Sequence, residues 1–255
     1  MRRLYIALIL LFLYTPIVVL VALSFNDSKY YVTFGGFTLR WYRNLLTDET
    51  IRNALWTTLF VSVVSAFAAT VIGTLGAIGI QQMRIRNIAL SVSDIPLLNA
   101  DIVTGVSMML LLVRFTELNT MTVLVAHITF EIPYVMLNVM PRFYHMDRDL
   151  YNAALDLGAD NAYAIRKVIL PELLPGIIAG FLMAVTMSID DFSITYFTRG
   201  AGINTLSTMI YTELKRGVNP SMYALSTILF AVVFLLLVIM NVKTANRRVA
   251  KKIPV

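Results

Sequence analysis

No cysteine occurs in the 255 residues, which excludes a disulfide, a thiolate metal site and a cysteine nucleophile. Charge is scarce as well. Asp, Glu, Lys and Arg make up 14% of the chain against 58% apolar residues, and the mean hydropathy of +0.75 lies far from that of soluble domains. There is no G-x-x-x-x-G-K-[ST] loop to cradle nucleotide phosphates, and neither H-E-x-x-H nor G-x-S-x-G to run a hydrolysis. The adjacent pair Asp190-Asp191 is not by itself a facing pair of catalytic acids, which disfavours an intramembrane hydrolase.

What is present in abundance is apolar sequence in long runs. A bilayer core needs about 20 apolar residues to cross as a helix, and such runs recur six times, near 4–25, 54–80, 88–113, 122–140, 173–197 and 223–242. The pattern predicts an all-α membrane protein of six transmembrane helices forming one domain over 1–255. Met1-Arg2-Arg3 resembles the charged start of a signal peptide, but the apolar stretch behind it is long and lacks an Ala-x-Ala site, so it reads as an uncleaved first span.

Six spans put both termini on one side of the lipid bilayer. With the termini in the cytoplasm, Arg2, Arg3, Arg84, Arg86, Arg142, Arg148, Arg166, Lys167 and the five basic residues of the C-terminal tail lie inside, 13 of the 21 Lys and Arg. This positive-inside bias also accounts for the pI of about 9.6, because the basic residues are scattered over loops and tails, which does not suit nucleic acid.

Three local patterns carry more. Phe37 to Leu46, with Trp41, Tyr42, Arg40 and Arg43, reads as a short anchoring helix at the outer membrane interface. Ser65, Ala69, Gly73 and Ala77 recur every four residues in span two, as do Gly176, Gly180, Ala184 and Ser188 in span five, giving two smooth faces for close helix packing. The stretch 142–172 is water-compatible. Leu150, Ala153, Ala154 and Leu157 follow helical spacing after a cap at Asp147 or Asp149, and Gly158 ends that helix. A second short helix follows, capped by Asp160, with Arg166 and Lys167 in its last turn and Pro171 as its stop. Two such short helices need a partner to bury their apolar face, either a protein or the lipid headgroups.

Ala153-Ala154, Leu157-Gly158-Ala159 and Ile169-Leu170-Pro171 resemble the "EAA" loop of permease subunits in ATP-binding-cassette importers, although Asn152 stands where that loop carries Glu. Phe25-Asn26-Asp27-Ser28, Gly36-Phe37-Thr38, Asp101-Ile102-Val103, His127-Ile128-Thr129-Phe130 and Ser188-Ile189-Asp190-Asp191 are similar to spermidine/putrescine importer permeases of the PotC type. The resemblance runs from the first span to the last, with Glu131 an unexpected acid. It implies the type I importer (MetI-like) permease fold, with a cytoplasmic coupling loop over 142–172. Asn152, Ala153, Ala154, Leu157, Gly158, Ala159 and Pro171 would then contact an ATPase through 147–171. The implied partners are a homologous second permease, two ATPase copies carrying the ATP and Mg, and an extracytoplasmic polyamine-binding protein in a bacterial cytoplasmic membrane. No cofactor or metal is expected on this chain.

Asp94, Asp101, Glu131, Asp190 and Asp191 fall within the predicted spans, and no Lys or Arg does. A carboxylate at mid-bilayer costs at least ~2.5 kcal/mol, so such groups face a protein interior or a watery path, and a cationic substrate would offset the cost. Asp101, Asp190, Asp191 and Glu131 are the candidate path residues, with Phe192, Tyr196 and Phe197 as aromatic walls for an ammonium group. His127 and Glu131, four apart, can instead pair with each other. Asp94 reads as a cap at a broken helix, because Pro96 and Asn99 predict a bend that would take Asp94 and Asp101 off a common face. Two alternatives stand beside polyamine import: import of another small cation or solute, and a proton-coupled secondary transporter. The latter predicts an internal repeat that the chain lacks.

Overall fold

The computed structural model describes residues 2–28, 33–146, 148–216 and 220–250. Asp147, one of the two caps expected for the first loop helix, lies outside them. Among the described residues the chain is helical apart from one isolated antiparallel bridge, Asn26 with Phe37. Among the described residues, five helices are long and apolar enough to cross a membrane, six if one bent pair counts as a span. The chain divides into two compact units, Met1–Thr57 with Asn204–Leu235, and Thr58–Ile203 with Leu236–Val255.

The first unit holds α1 (Arg2–Ser24), α2 (Arg40–Thr47), the start of α3 (Glu49–Gln82), α11 (Leu206–Arg216) and the start of α12 (Pro220–Ala250). α2 is the expected short helix. Its Trp41 and Leu45 are buried against Ile51, Ala54, Leu206, Met222 and Leu225, so the expected aromatic anchor is set in protein. Trp41 Nε1 donates to the Asn26 carbonyl at 2.8 Å. The Asn26 side chain organises the turn before it, accepting from Gly35 N at 2.8 Å and donating to Thr33 O at 2.9 Å.

In the second unit α6 (Thr120–His145) packs between the later part of α3 and α9 (Leu170–Asp190). Both small-residue faces meet it. A Cβ on Gly73 would stand 3.0 Å from Val135 Cβ, one on Gly180 3.1 Å from Val135 Cα, and one on Gly176 2.7 Å from Asn138 O. The glycines therefore set the approach of the helices, as expected where dispersion and backbone proximity replace the hydrophobic effect.

Span three is the bent pair. α4 (Arg86–Leu98) and α5 (Asp101–Val113) meet at 101° across extended Asn99 and Ala100. Pro96 cannot donate to the helix ladder and crowds the carbonyl four residues back, and the helix ends two residues later. Asp94 and Asp101 thus share no helix face. Asp94 caps nothing either, since it lies inside α4 while the flanking cap positions fall at Ile85 and Asn99.

Span five departs from expectation at both ends. The loop helix α8 (Asn161–Ala164) runs through a π turn (Ile165–Ile169) straight into α9, so Pro171 stops nothing. In the π turn the Leu170 N–H bonds to the Ile165 carbonyl, five residues back, and this wider bonding pattern accommodates a proline that has no N–H of its own. At the other end the helix does not reach Phe197. It breaks at Asp191 (φ −63°, ψ 126°) and resumes as α10 (Ser193–Thr198). The Asp191 carboxylate accepts from Ile194 N at 3.1 Å and from Thr195 N at 2.8 Å, offering the backbone a local alternative to a continued helix.

Candidate functional site

The loop between α6 and α9 has the expected turn at Gly158 and cap at Asp160, but Asp149 lies in the first turn of α7, not at its cap, and Pro171 lies inside α9. α7 (Arg148–Asp156) ends in a Schellman motif, with Ala159 N bonded to Ala154 O at 3.0 Å and Gly158 N to Leu155 O at 2.9 Å. Gly158 has φ +87°, a conformation that L residues rarely adopt. Asp160 caps α8, accepting from Tyr163 N at 2.6 Å. Asn152, Ala153, Leu157, Gly158 and Pro171 are exposed, and Ala154 and Ala159 are half-buried. Leu157 is 89% exposed and Leu150 is exposed too, so one apolar side chain on α7 and one just past its end are presented outward. Ala164 and Ile169, by contrast, are buried and seat the loop on the helices behind it.

The acids separate into two groups. Asp101 and Asp190 are exposed, and Asp94 is partly so. Glu131 and Asp191 converge on His127, which is fully buried. His127 Nδ1 lies 3.7 Å from Glu131 Oε1, and Nε2 lies 3.5 Å from Asp191 Oδ2. Hydroxyls complete the cluster. Ser65 donates to Glu131 at 2.8 Å, Ser188 Oγ is 2.7 Å from His127 Nδ1, and Thr195 Oγ1 is 2.8 Å from His127 Nε2. Thr195 has a single hydroxyl proton and gives it to Asp191 Oδ2 at 2.8 Å, so His127 Nε2 carries the hydrogen toward Thr195. Glu131 Oε2 has no hydrogen-bond partner among the described residues.

This cluster ties α3, α6, α9 and α10 together in the middle of the unit. A second bond, Thr122 Oγ1 to Thr198 O at 2.8 Å, holds the far end of α10 to the start of α6. Ser65, Ser188 and Thr195 escaped sequence reasoning as polar partners. The two serines belong to the small-residue faces, and a serine at such a position signals packing and hydrogen bonding alike. The aromatic wall is present, with Phe192 and Tyr196 centroids 5.2 Å apart and Tyr196 and Phe197 5.5 Å apart; the Arg199 guanidinium lies 5.4 Å from the Tyr196 centroid. Among the described residues no cluster of His, Asp or Glu is arranged to hold a metal ion.

The arrangement can do two things chemically. It presents a rigidly closed turn with outward apolar side chains to a partner, and it carries exposed carboxylates on two interrupted spans. Residues 82–253 match the family model of the binding-protein-dependent transport system inner membrane component. The putrescine transport system permease protein PotI of Escherichia coli (strain K12) is 34% identical over 232 residues, 87% of this chain and 83% of that one. The spermidine/putrescine transport system permease protein PotC of Haemophilus influenzae is 33% identical over 248 residues, 96% of each chain. In fold, the chain is similar to a subunit of a bacterial alginate ABC transporter solved in complex with an alginate pentasaccharide-bound periplasmic protein, with TM-score 0.69, 18% identity and coverage of 100% of this chain and 95% of that one. The chain therefore belongs to the binding-protein-dependent transport system inner membrane components, the multi-pass permease subunits of ATP-binding-cassette importers.

Proposed function

We propose that this chain is one of two permease subunits of an importer that moves putrescine, spermidine or both across the cytoplasmic membrane, with both termini inside and 1–255 acting as one permease domain. ATP and Mg are held by a separate ATPase, and an extracytoplasmic binding protein delivers the substrate. The observation that carries the reading is the separation of acids on the spans. Exposed Asp101 and Asp190 suit a protonated amine, while Glu131 and Asp191 are occupied with His127 and hold the frame. A path site must bind weakly enough to release, and single exposed carboxylates meet that need.

The coupling follows from continuity. The ATPase grips α7 through Asn152, Ala153, Leu157 and Gly158, and the loop passes without interruption through the π turn into α9, at whose end Asp190 sits. Closing the ATPase dimer displaces the loop, and α9 carries that displacement to the acids.

A second reading, import of another small organic cation, draws on the same acids, because they select charge without measuring amine spacing. The test is labelled putrescine and spermidine uptake in cells lacking other polyamine importers, with the neighbouring transporter genes expressed with and without this subunit. ATP-dependent uptake that requires the subunit supports the reading. An assembled complex that moves neither amine overturns it in favour of another cargo.

A further inference from the structure

Beside α7 lies a groove of about 290 Å³ that shares only Asn152 with the coupling surface described so far. Its walls include Ile78 from α3, Phe143 from α6 and Ile169 from the π turn, each buried in the unit and fixed before any partner arrives. Around them stand three carboxamides, Gln81 and Gln82 at the end of α3 and Asn152 on α7. Among the described residues, none lining the groove carries a formal charge.

One group there is unfinished. Gln81 Oε1 is buried and has no hydrogen-bond partner among the described residues. A buried amide carbonyl without a donor is unfavourable, so this oxygen calls for an N–H or O–H from outside the described structure. The groove shares α7 with outward-facing Leu150 and Leu157, so a partner that covers those side chains also reaches the rim at Asn152.

We infer that the ATPase subunit fills this groove as well as covering α7, inserting an apolar side chain accompanied by a neutral hydrogen-bond donor directed at Gln81. The inference rests on the permease reading above and adds to it the chemistry of the grip: an uncharged contact to carboxamides, one that an introduced charge would weaken. A small molecule or a lipid headgroup would require charge or a deeper enclosure that the lining does not supply.

The absence of cysteine makes the whole chain a ready background for the test. Gln82→Cys and Leu157→Cys, each carrying a thiol-reactive photocrosslinker, are assembled with the second permease and the ATPase in membrane vesicles and illuminated. Crosslinks to the ATPase from both positions are the expected result. A crosslink from Leu157→Cys alone, or one from Gln82→Cys to lipid or to the second permease, overturns the groove inference and leaves the permease reading standing. Crosslinks from neither position sink both.

A second readout tests the chemistry. Gln81→Lys exchanges the accepting carbonyl for a cation that can only donate, setting donor against donor, and lowers ATPase co-purification and uptake about tenfold, with the permease pair itself still recovered. Full coupling in that variant contradicts a neutral contact.

Discussion

Spans three and five are both interrupted, and the pieces that follow the interruptions, α5 and α10, pack on each other so closely that a Cβ on Gly105 would stand 3.0 Å from Ser193 O. The causes of the two breaks differ. Span three is broken from within, by Pro96 and the extended pair Asn99 and Ala100, and no side chain caps the new helix. Span five is broken by local and distant chemistry together: Asp191 leaves the helix to bond Ile194 and Thr195, and His127, more than sixty positions earlier, is held by Ser188 and Thr195 on either side of the gap. A break made by a proline is a property of its segment. One made by a buried cluster depends on the whole unit.

The sharpest way to break the comparison is His127→Ala. It leaves Glu131 and Asp191 as buried carboxylates without their shared partner, and the expected cost is about 3–5 kcal/mol. Subunit recovery and thermal stability in detergent would fall steeply, and a stable variant with normal uptake would refute the central role given to the cluster. Next, Gly105→Val drives a side chain into Ser193 and Phe197 where the two interrupted spans meet, at an expected cost of about 1–3 kcal/mol. A thermal melt of the purified complex checks it.

Asp101→Asn and Asp190→Asn probe the exposed ends of the two breaks. Each should lower uptake about tenfold, equivalent to about 1.4 kcal/mol, while the complex assembles normally. Wild-type uptake in both would remove the acids from the path. The smallest effect is expected from Pro96→Ala, with a stability change of about 1 kcal/mol or less. Spin labels at Ile88→Cys and Leu110→Cys should nevertheless report a longer mean separation as α4 and α5 straighten. An unchanged distance would show that packing, and not the proline, sets the first bend.

The same contrast explains what could be read from the residues alone. Apolar runs, small-residue faces, the Gly158 turn, the Asp160 cap and the bend after Pro96 depend on neighbours within a few positions, and each left a local pattern. The end of span five at Asp191 did not, because the bonds of Asp191 to Ile194 and Thr195 are local but the contact from His127 that holds its carboxylate comes from α6. Pro171 misled for a related reason: a proline is a stop only where its missing N–H is demanded, and the π turn before it changes that demand. His127 and Glu131 were legible as a possible pair four residues apart, whereas the hydroxyls that complete their environment come from three other elements.

The π turn also settles a question of phase. The buried positions running from the loop into the span are Ala164, Ile169, Leu173, Gly176, Gly180 and Ala184. Their intervals are all three or four residues except the first, which is five and coincides with the π turn. In a purely α-helical chain that extra residue would rotate everything before it by about 100° relative to the span, turning the loop's seat away from the core. The wide turn absorbs the surplus residue. Deleting one residue within 165–169 would therefore leave the buried stripe in register, while the same deletion between Leu173 and Gly176 would throw the coupling loop onto the wrong side of its own helix.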